Sequence, residues 1–394
     1  MLSSSFGQTY FISIFAGEIR ASFGLSHGQW GLYYTVGTLA SAALMLHAGG
    51  LTDRYRVRRL APAILGIFAC VCLAMAVNPV GILLIPIIFG LRFCGQGMLS
   101  HMESVAVARW FTRSRGRANA IMALGFILGE ATFPILFVLL MGVVGWRWSW
   151  VTAAAMTLAF IPIFLALLTR ERDPGETTVS NTQVGIGGQH WRRSDALRHW
   201  FFWVAAVGVV SPSMFGTAFF FQQVHYAEVK DWSLESFVVL IPLYSFSAFL
   251  SLFAFGALAD RFGSGVVLSV AMLPGAVSFW IFSQAADPST AAIGMVVFGM
   301  MTGAMGAMGS TLWPEFYGTR HIGSVRSVAS SIMVLGSALG PGLTGLLIDL
   351  GVGYETQLAG MSVYYAAIAA VLLTAYLKIR PQLPDRTAPG FSAS

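Results

Sequence analysis

Two stretches of this chain carry no charged residue over the length of a bilayer crossing. Val151–Leu168 has none, and Ser236–Leu258 has none across 23 residues. A helix rises 1.5 Å per residue, so about 20 apolar residues cross the hydrocarbon layer. A charge at the bilayer centre costs several kcal/mol, so a spanning helix requires such runs and a soluble core seldom contains them. Charged residues make up only 10% of the 394, against about 25% in soluble proteins. The chain reads as an all-α, multi-spanning membrane protein, with two domains expected at this length.

The basic balance, with a pI near 9.4, does not point to nucleic acid, because the basic residues sit at the ends of apolar runs. Cys70, Cys72 and Cys94 lie inside apolar segments without metal-ligand spacing and read as packing residues. No Walker loop is present, which argues against ATP-driven transport by this chain. His101-x-Glu103 lacks a second histidine at helical spacing and is read as chance. No clustered catalytic groups appear, so an enzyme is not expected, nor is a metal or other cofactor.

The apolar runs divide into twelve helices, at about 1–17, 28–49, 60–77, 81–108, 118–140, 148–168, 199–226, 236–258, 265–284, 289–314, 327–348 and 357–377. The segment Thr169–Arg198 holds Asp173-Pro174-Gly175 and a polar stretch, and reads as a flexible linker. The expected domains are an N-terminal six-helix bundle (1–168), a cytoplasmic linker (169–198), a C-terminal six-helix bundle (199–380) and a disordered cytoplasmic tail (381–394). The loops after helices 2, 4, 6, 8 and 10, with the C-terminus, hold 19 of the 23 Lys and Arg. The opposite face has only Arg20, Arg147 and Lys230, while Arg92 lies within a span. Positive charge collects on the cytoplasmic side, so both termini and the linker are expected there, in a cell inner membrane. No cleavable signal peptide is seen. Helix 1 is polar and barely long enough to span, which leads us to expect further apolar residues upstream of Met1.

The two halves echo each other. Gly49-Gly50-Leu51-Thr52-Asp53-Arg54 follows helix 2, and Gly256-Ala257-Leu258-Ala259-Asp260-Arg261-Phe262-Gly263 follows helix 8, with the aspartates 207 positions apart. Gly125-x-x-x-Gly129 matches Gly336-x-x-x-Gly340-Pro341 at an offset of 211. Two landmarks at nearly one offset argue for duplication of a six-helix unit.

The loops after helices 2 and 8 resemble the signature loop of the major facilitator superfamily. Arg92 with Gly95 and Gly97 resembles the family's R-x-x-x-G motif, with the glycines displaced, and Gly336–Pro341 resembles the glycine-proline motif of its antiporters. Arg56 stands where the first loop usually has glycine, and Glu130 where helix 5 of antiporters usually has proline. Glu315–Arg320, followed by Gly336–Gly345, is similar to bacterial relatives of the monocarboxylate and oxalate/formate exchangers. The resemblance implies two pseudo-symmetric bundles and a cavity lined by helices 1, 4, 7 and 10.

Several polar residues then become candidates. Arg92 lies near mid-membrane, and α-helical geometry puts Gln96 and Glu103 on its face. A buried arginine must pair or face water. Glu130, at similar depth, could neutralise Arg92 or carry a proton, and Asn119 is expected on its face. Glu103 and His101 read as interfacial. Helix 1 offers Gln8, Thr9, Tyr10 and Ser13. Helix 7 offers Ser211, Ser213, Thr217, Gln222, Gln223 and His225, with Pro212 expected to interrupt it. The glycines of helix 10 (294, 299, 303, 306 and 309) suggest flexibility. Gly49, Asp53, Arg54, Arg58, Gly256, Asp260 and Arg261 are the candidate gate, in which an aspartate accepts from helix N–H groups or pairs with loop arginines.

The expected function is secondary transport of a small organic solute by alternating access, driven by protons or by exchange, with an anion favoured by Arg92. The alternative is proton-driven efflux of drugs or metabolites. The expected partners are the solute, the lipid bilayer and, where coupling requires them, protons. Nucleic acid is not expected, and the protein is read as a monomer.

Overall fold

The computed structural model describes residues 1–110, 115–167 and 184–383, and the side chains of residues 53, 108–110, 115–117, 119, 120, 167 and 310 lie outside that description. Within it the chain forms twelve long helices, besides short helical turns such as Leu51–Arg54 and Arg193–Arg198. α1 is pieced together from Leu2–Gly7, Thr9–Ile12, Ser13–Phe15 and Ala16–Phe23, and α2 is His27–Ala48. α3 is Val57–Val77, and α4 joins Leu84–Leu91, Arg92–Leu99 and Ser100–Trp110. α5 (115–144) and α6 (146–167) follow one another across Gly145, whose φ of 79° needs a residue without a Cβ. α7 is Trp200–Phe221 followed by Gln223–Val229, and α8 is Leu234–Val238 followed by Ile241–Phe262. α9 is Ser264–Gln284, α10 Pro288–Tyr317, α11 Ile322–Asp349 and α12 Tyr354–Ile379.

Nine described segments are long and apolar enough to cross a membrane, one of them, Ile121–Ala166, containing both α5 and α6. The remaining two helices are α1, broken into short pieces, and the more polar α2. Large apolar side chains such as Leu46, Val143, Trp148 and Val363 face outward, whereas Gln8, Arg92, Glu130, Gln222 and Gln223 are buried. This inversion of the soluble pattern is what a lipid solvent selects.

Helix starts follow local chemistry. Ser26 and Gln29 form a capping box at α2, each side chain bonding the other's backbone N–H at 3.1 Å. Asp287 accepts from Thr290 N at 2.9 Å, with Pro288 at the first turn of α10. Pro212 does not interrupt α7, contrary to expectation. Its missing N–H would have served the Gly208 carbonyl, and the Ser211 hydroxyl donates there instead at 2.9 Å. The break falls at Gln222, which has turn geometry (φ −93°, ψ 16°).

The chain forms two compact units. The first comprises Met1–Thr178, Thr217–Pro242 and Ala338–Val352; the second comprises Val179–Gly216, Leu243–Ser337 and Gly353–Ser394. In the first, α2 packs on α4, and α3 on the 115–167 helices. In the second, α9 packs on both α10 and α12. The described part of the expected flexible linker is anchored on α10. Trp191 N donates to the Tyr317 carbonyl at 3.0 Å, Ile186 is buried, and Gly185 lies against the backbone of Phe316 and Gly318 so closely that a Cβ would not fit. The Asp173-Pro174-Gly175 segment and residues 384–394 of the tail lie outside the described residues.

Candidate functional site

α1 stops being helical at Gln8, whose backbone is extended (φ −86°, ψ 153°). The N–H of Phe11 bonds to the Gln8 carbonyl at 3.2 Å, so the Gly7 carbonyl loses the partner that a continuous helix would give it. Beside this break α4 widens into a π-helix over Arg92–Leu99. Gly7 and Gly95 meet where the two irregular segments cross. A Cβ on Gly7 would lie 2.2 Å from the Leu91 carbonyl oxygen, and one on Gly95 would lie 2.7 Å from the Cα of Gly7. No side chain fits there. Broken helices and π segments recur at functional sites.

Arg92 occupies this crossing and is 2% exposed. Its Nη1 donates to the Gly7 carbonyl at 3.2 Å and to Thr9 Oγ1 at 3.3 Å. The guanidinium lies over the Tyr34 ring, 5.3 Å from its centroid, and the Tyr34 hydroxyl is 2.5 Å from Thr9 Oγ1. Its Nε is buried with no hydrogen-bond partner among the described residues. No carboxylate among the described residues pairs with this cation.

The expected pairing with Glu130 is therefore not made. Glu130 is 7% exposed and acts electrostatically on the hydroxyl of buried Tyr10, which packs edge-on against Phe126 one turn earlier on α5. Nor does the expected stripe with Gln96 and Glu103 form. Gln96 is exposed, and its side chain makes no hydrogen bond among the described residues. The stripe assumed 100° per residue, which the π-helix does not keep. Glu103 binds the amino group of Met1. The side chain of Asn119 lies outside the described residues.

Helices 1 and 7 do meet through their polar residues. Gln223 Nε2 donates to the Tyr10 carbonyl at 3.0 Å and to Ser13 Oγ at 2.7 Å, and Ser13 Oγ donates to the Phe220 carbonyl at 2.7 Å. Gln222 Nε2 reaches Thr344 Oγ1 at 3.3 Å. His225 stands at the far end of α7, 3.6 Å from the Glu228 carboxylate. Gly299 and Gly303 of α10 pack so tightly on α8 that Cβ atoms would fall 2.4 Å and 2.2 Å from its carbonyl oxygens. At these two positions the glycines serve close packing.

The side chain of Asp53 lies outside the described residues. In the second copy of the loop, Asp260 is exposed and pairs with no cation among the described residues, while Arg261 lies over Phe262. Arg54 and Arg58 are exposed, and no Cβ contact within 4 Å is met at Gly256. Gly49 instead meets His101, whose Nε2 is 3.3 Å from the Gly49 carbonyl and 3.5 Å from Thr52 Oγ1. Sequence reasoning overlooked this role of His101, and also that of Glu315. Glu315 accepts from Ser264 N at 2.9 Å and Ser264 Oγ at 2.5 Å, closing the start of α9. Its position, 212 residues after Glu103, fits the duplication offset and was the available signal.

The sequence profile of the Major Facilitator Superfamily matches residues 1–341 and 236–393. The chain belongs to the Major Facilitator Superfamily. It is thus a multi-pass membrane protein with that superfamily's fold, a secondary transporter and not an enzyme. The fold is similar to that of a bacterial homologue of the human lysosomal transporter Spinster, inward-facing and occupied, with a TM-score of 0.76 at 16% identity, covering 98% of this chain and 96% of that one. It is also similar to the nucleoside transporter NupG, with a TM-score of 0.66 at 14% identity over 95% and 96% of the two chains. Among curated relatives, a putative metabolite transport protein of Haemophilus influenzae is 24% identical, over 91% of this chain and 90% of its own length. A multidrug resistance protein B homolog of Mycobacterium tuberculosis is 30% identical over 162 residues, 41% of this chain and only 30% of that protein.

Proposed function

We propose that this transporter moves a small organic anion, most simply a carboxylate, by alternating access, driven by protons or by exchange. The observation that carries this reading is Arg92. A guanidinium buried without a carboxylate partner is costly unless an anion reaches it. Nη1 is occupied by Gly7 and Thr9, whereas Nε has no acceptor among the described residues. The edge of a guanidinium that includes Nε is suited to a planar carboxylate, which can take two parallel N–H bonds. The similarity of Glu315–Arg320 and Gly336–Gly345 to monocarboxylate and oxalate/formate exchangers supports the same class. Glu130, buried beside Tyr10, is the proposed proton carrier.

Within this reading the two six-helix bundles, 1–168 and 199–380, are joined by a cytoplasmic linker, both termini are cytoplasmic, and the protein works as a monomer in a cell inner membrane. The test compares metabolite uptake by inverted vesicles with and without the protein, then measures binding of the transported solute to Arg92→Lys. Lysine keeps the charge and can still donate to Gly7, but it lacks the guanidinium edge. Binding is expected to fall at least tenfold while the protein stays folded. Unchanged binding would remove Arg92 from the solute site.

The second reading is drug or metabolite efflux by proton antiport. It is supported by the names of the Mycobacterium tuberculosis and Haemophilus influenzae relatives. Export of lipophilic cations from cells, insensitive to Arg92→Lys, would favour it.

A further inference from the structure

The last residue of α11 caps the first turn of α2 from 321 positions away. Asp349 Oδ2 accepts from Gly28 N at 2.8 Å and from Ser26 Oγ at 2.6 Å, and Oδ1 accepts from His27 N at 3.1 Å. These backbone N–H groups belong to the first turn of α2, which has no intrahelical acceptors for them. A carboxylate there also meets the positive end of the helix dipole.

Below the cap the two helices run together with almost nothing between their backbones. A Cβ on Gly31 would lie 2.5 Å from the Pro341 carbonyl oxygen, and one on Gly345 would lie 2.4 Å from that of His27. Thr35 Oγ1 donates to the Ala338 carbonyl at 2.7 Å. All of this lies inside the first compact unit.

Two facts set the cap apart from ordinary packing. The capping box of Ser26 and Gln29 already starts α2, so α2 does not need Asp349 in order to form. The cap is also exposed, where water can replace each of its bonds, so it is a weak contact. A contact of that size holds a seam shut and still lets it open.

We infer that Asp349 is a positioning residue of the transport cycle. Its carboxylate latches the end of α11 to the start of α2, and the latch is released each time the α2–α11 seam parts. This inference does not depend on the nature of the solute.

The test uses the full chain in nanodiscs with Cys70, Cys72 and Cys94 replaced by alanine. A cysteine replaces Thr35, inside the seam, and its rate of reaction with a water-soluble maleimide reports opening. In a parallel set a cysteine replaces Ser149, which is fully buried elsewhere in the unit. Asp349→Ala should raise the Thr35→Cys rate about fivefold, as loss of about 1 kcal/mol implies. Asp349→Asn, which keeps an acceptor oxygen, should raise it less. Gly28→Ala, whose Cβ would lie 2.5 Å from Asp349 Oδ2, should raise it too. The Ser149→Cys rate should not move. If Asp349→Ala does not accumulate, the other two variants carry the test. The wild-type rate in the variants that fold overturns the inference. So does an equal rise at both cysteines, which would mean a general loosening of the fold.

Discussion

Arg92 donates to the carbonyl of Gly7, the group that the break in α1 leaves without its helical partner. One cation thus holds the broken helix and also keeps a free Nε–H in the interior. Arg92→Ala is expected to lower stability by about 2–3 kcal/mol, the scale of buried hydrogen bonds to a charged group. Denaturation of the purified protein in detergent would measure it, and a loss below about 0.5 kcal/mol would show that the α1 break stands without Arg92.

Arg92 and Glu130 do not pair, because Arg92 meets no carboxylate among the described residues and Glu130 lies by Tyr10. Their effects should therefore add. In the cycle formed by Arg92→Gln, Glu130→Gln and the double variant, we expect a coupling in stability below about 0.5 kcal/mol. Rescue of either single variant by the double would instead reveal an ion pair.

Tyr34 touches Arg92 through its ring and Thr9 through its hydroxyl. Tyr34→Phe keeps the ring and should cost about 1 kcal/mol. Tyr34→Leu removes the cation–π contact as well and should cost about 1–2 kcal/mol more. Thermal unfolding of the pair separates the two contributions.

These contacts show where the sequence was readable. Hydropathy and charge located the spans because lipid acts on every residue of a helix at once. Gly7, Gly95 and the π segment were hidden, because the choice between i+4 and i+5 bonding is made by a tertiary crossing and not by local propensity. The stripe through Gln96 failed for that reason. Pro212 was a false break because its neighbour Ser211 repairs the lost bond. Asp349 carries no signal in the sequence, since its partners at 26–28 lie more than three hundred residues away. Glu315 was legible in principle, through the repeat, and was passed over.

Asp287 begins α10. Hydrogen bonds from the Ser289 hydroxyl, then from the backbone and hydroxyl of Thr290, lower its pKa to about 2 from the ordinary 3.8. A carboxylate with a depressed folded pKa stabilises the fold above its unfolded pKa and loses that effect as pH falls through the folded one. The melting temperature of Asp287→Ala should therefore lie below that of the native protein at pH 6, and the gap should close as pH falls from about 4 towards 2. A gap that stays constant would contradict the assignment.

Orientation can be read from single cysteines placed at Ser180 and Ser289 in a background free of native cysteines. An impermeant maleimide applied to intact cells is expected to label position 289 and leave position 180 untouched. The reverse pattern would overturn the topology drawn from the basic residues.

The linker residues that clasp α10 through Trp191 and Gly185 carry one more implication. A gene divided at codon 175 would send the clasp with the second polypeptide, already fastened to the helix it holds. Two separately translated products, 1–175 and 176–394, should then complement each other in one cell, while moving the division to codon 198 should leave the clasp stranded on the wrong piece and abolish complementation.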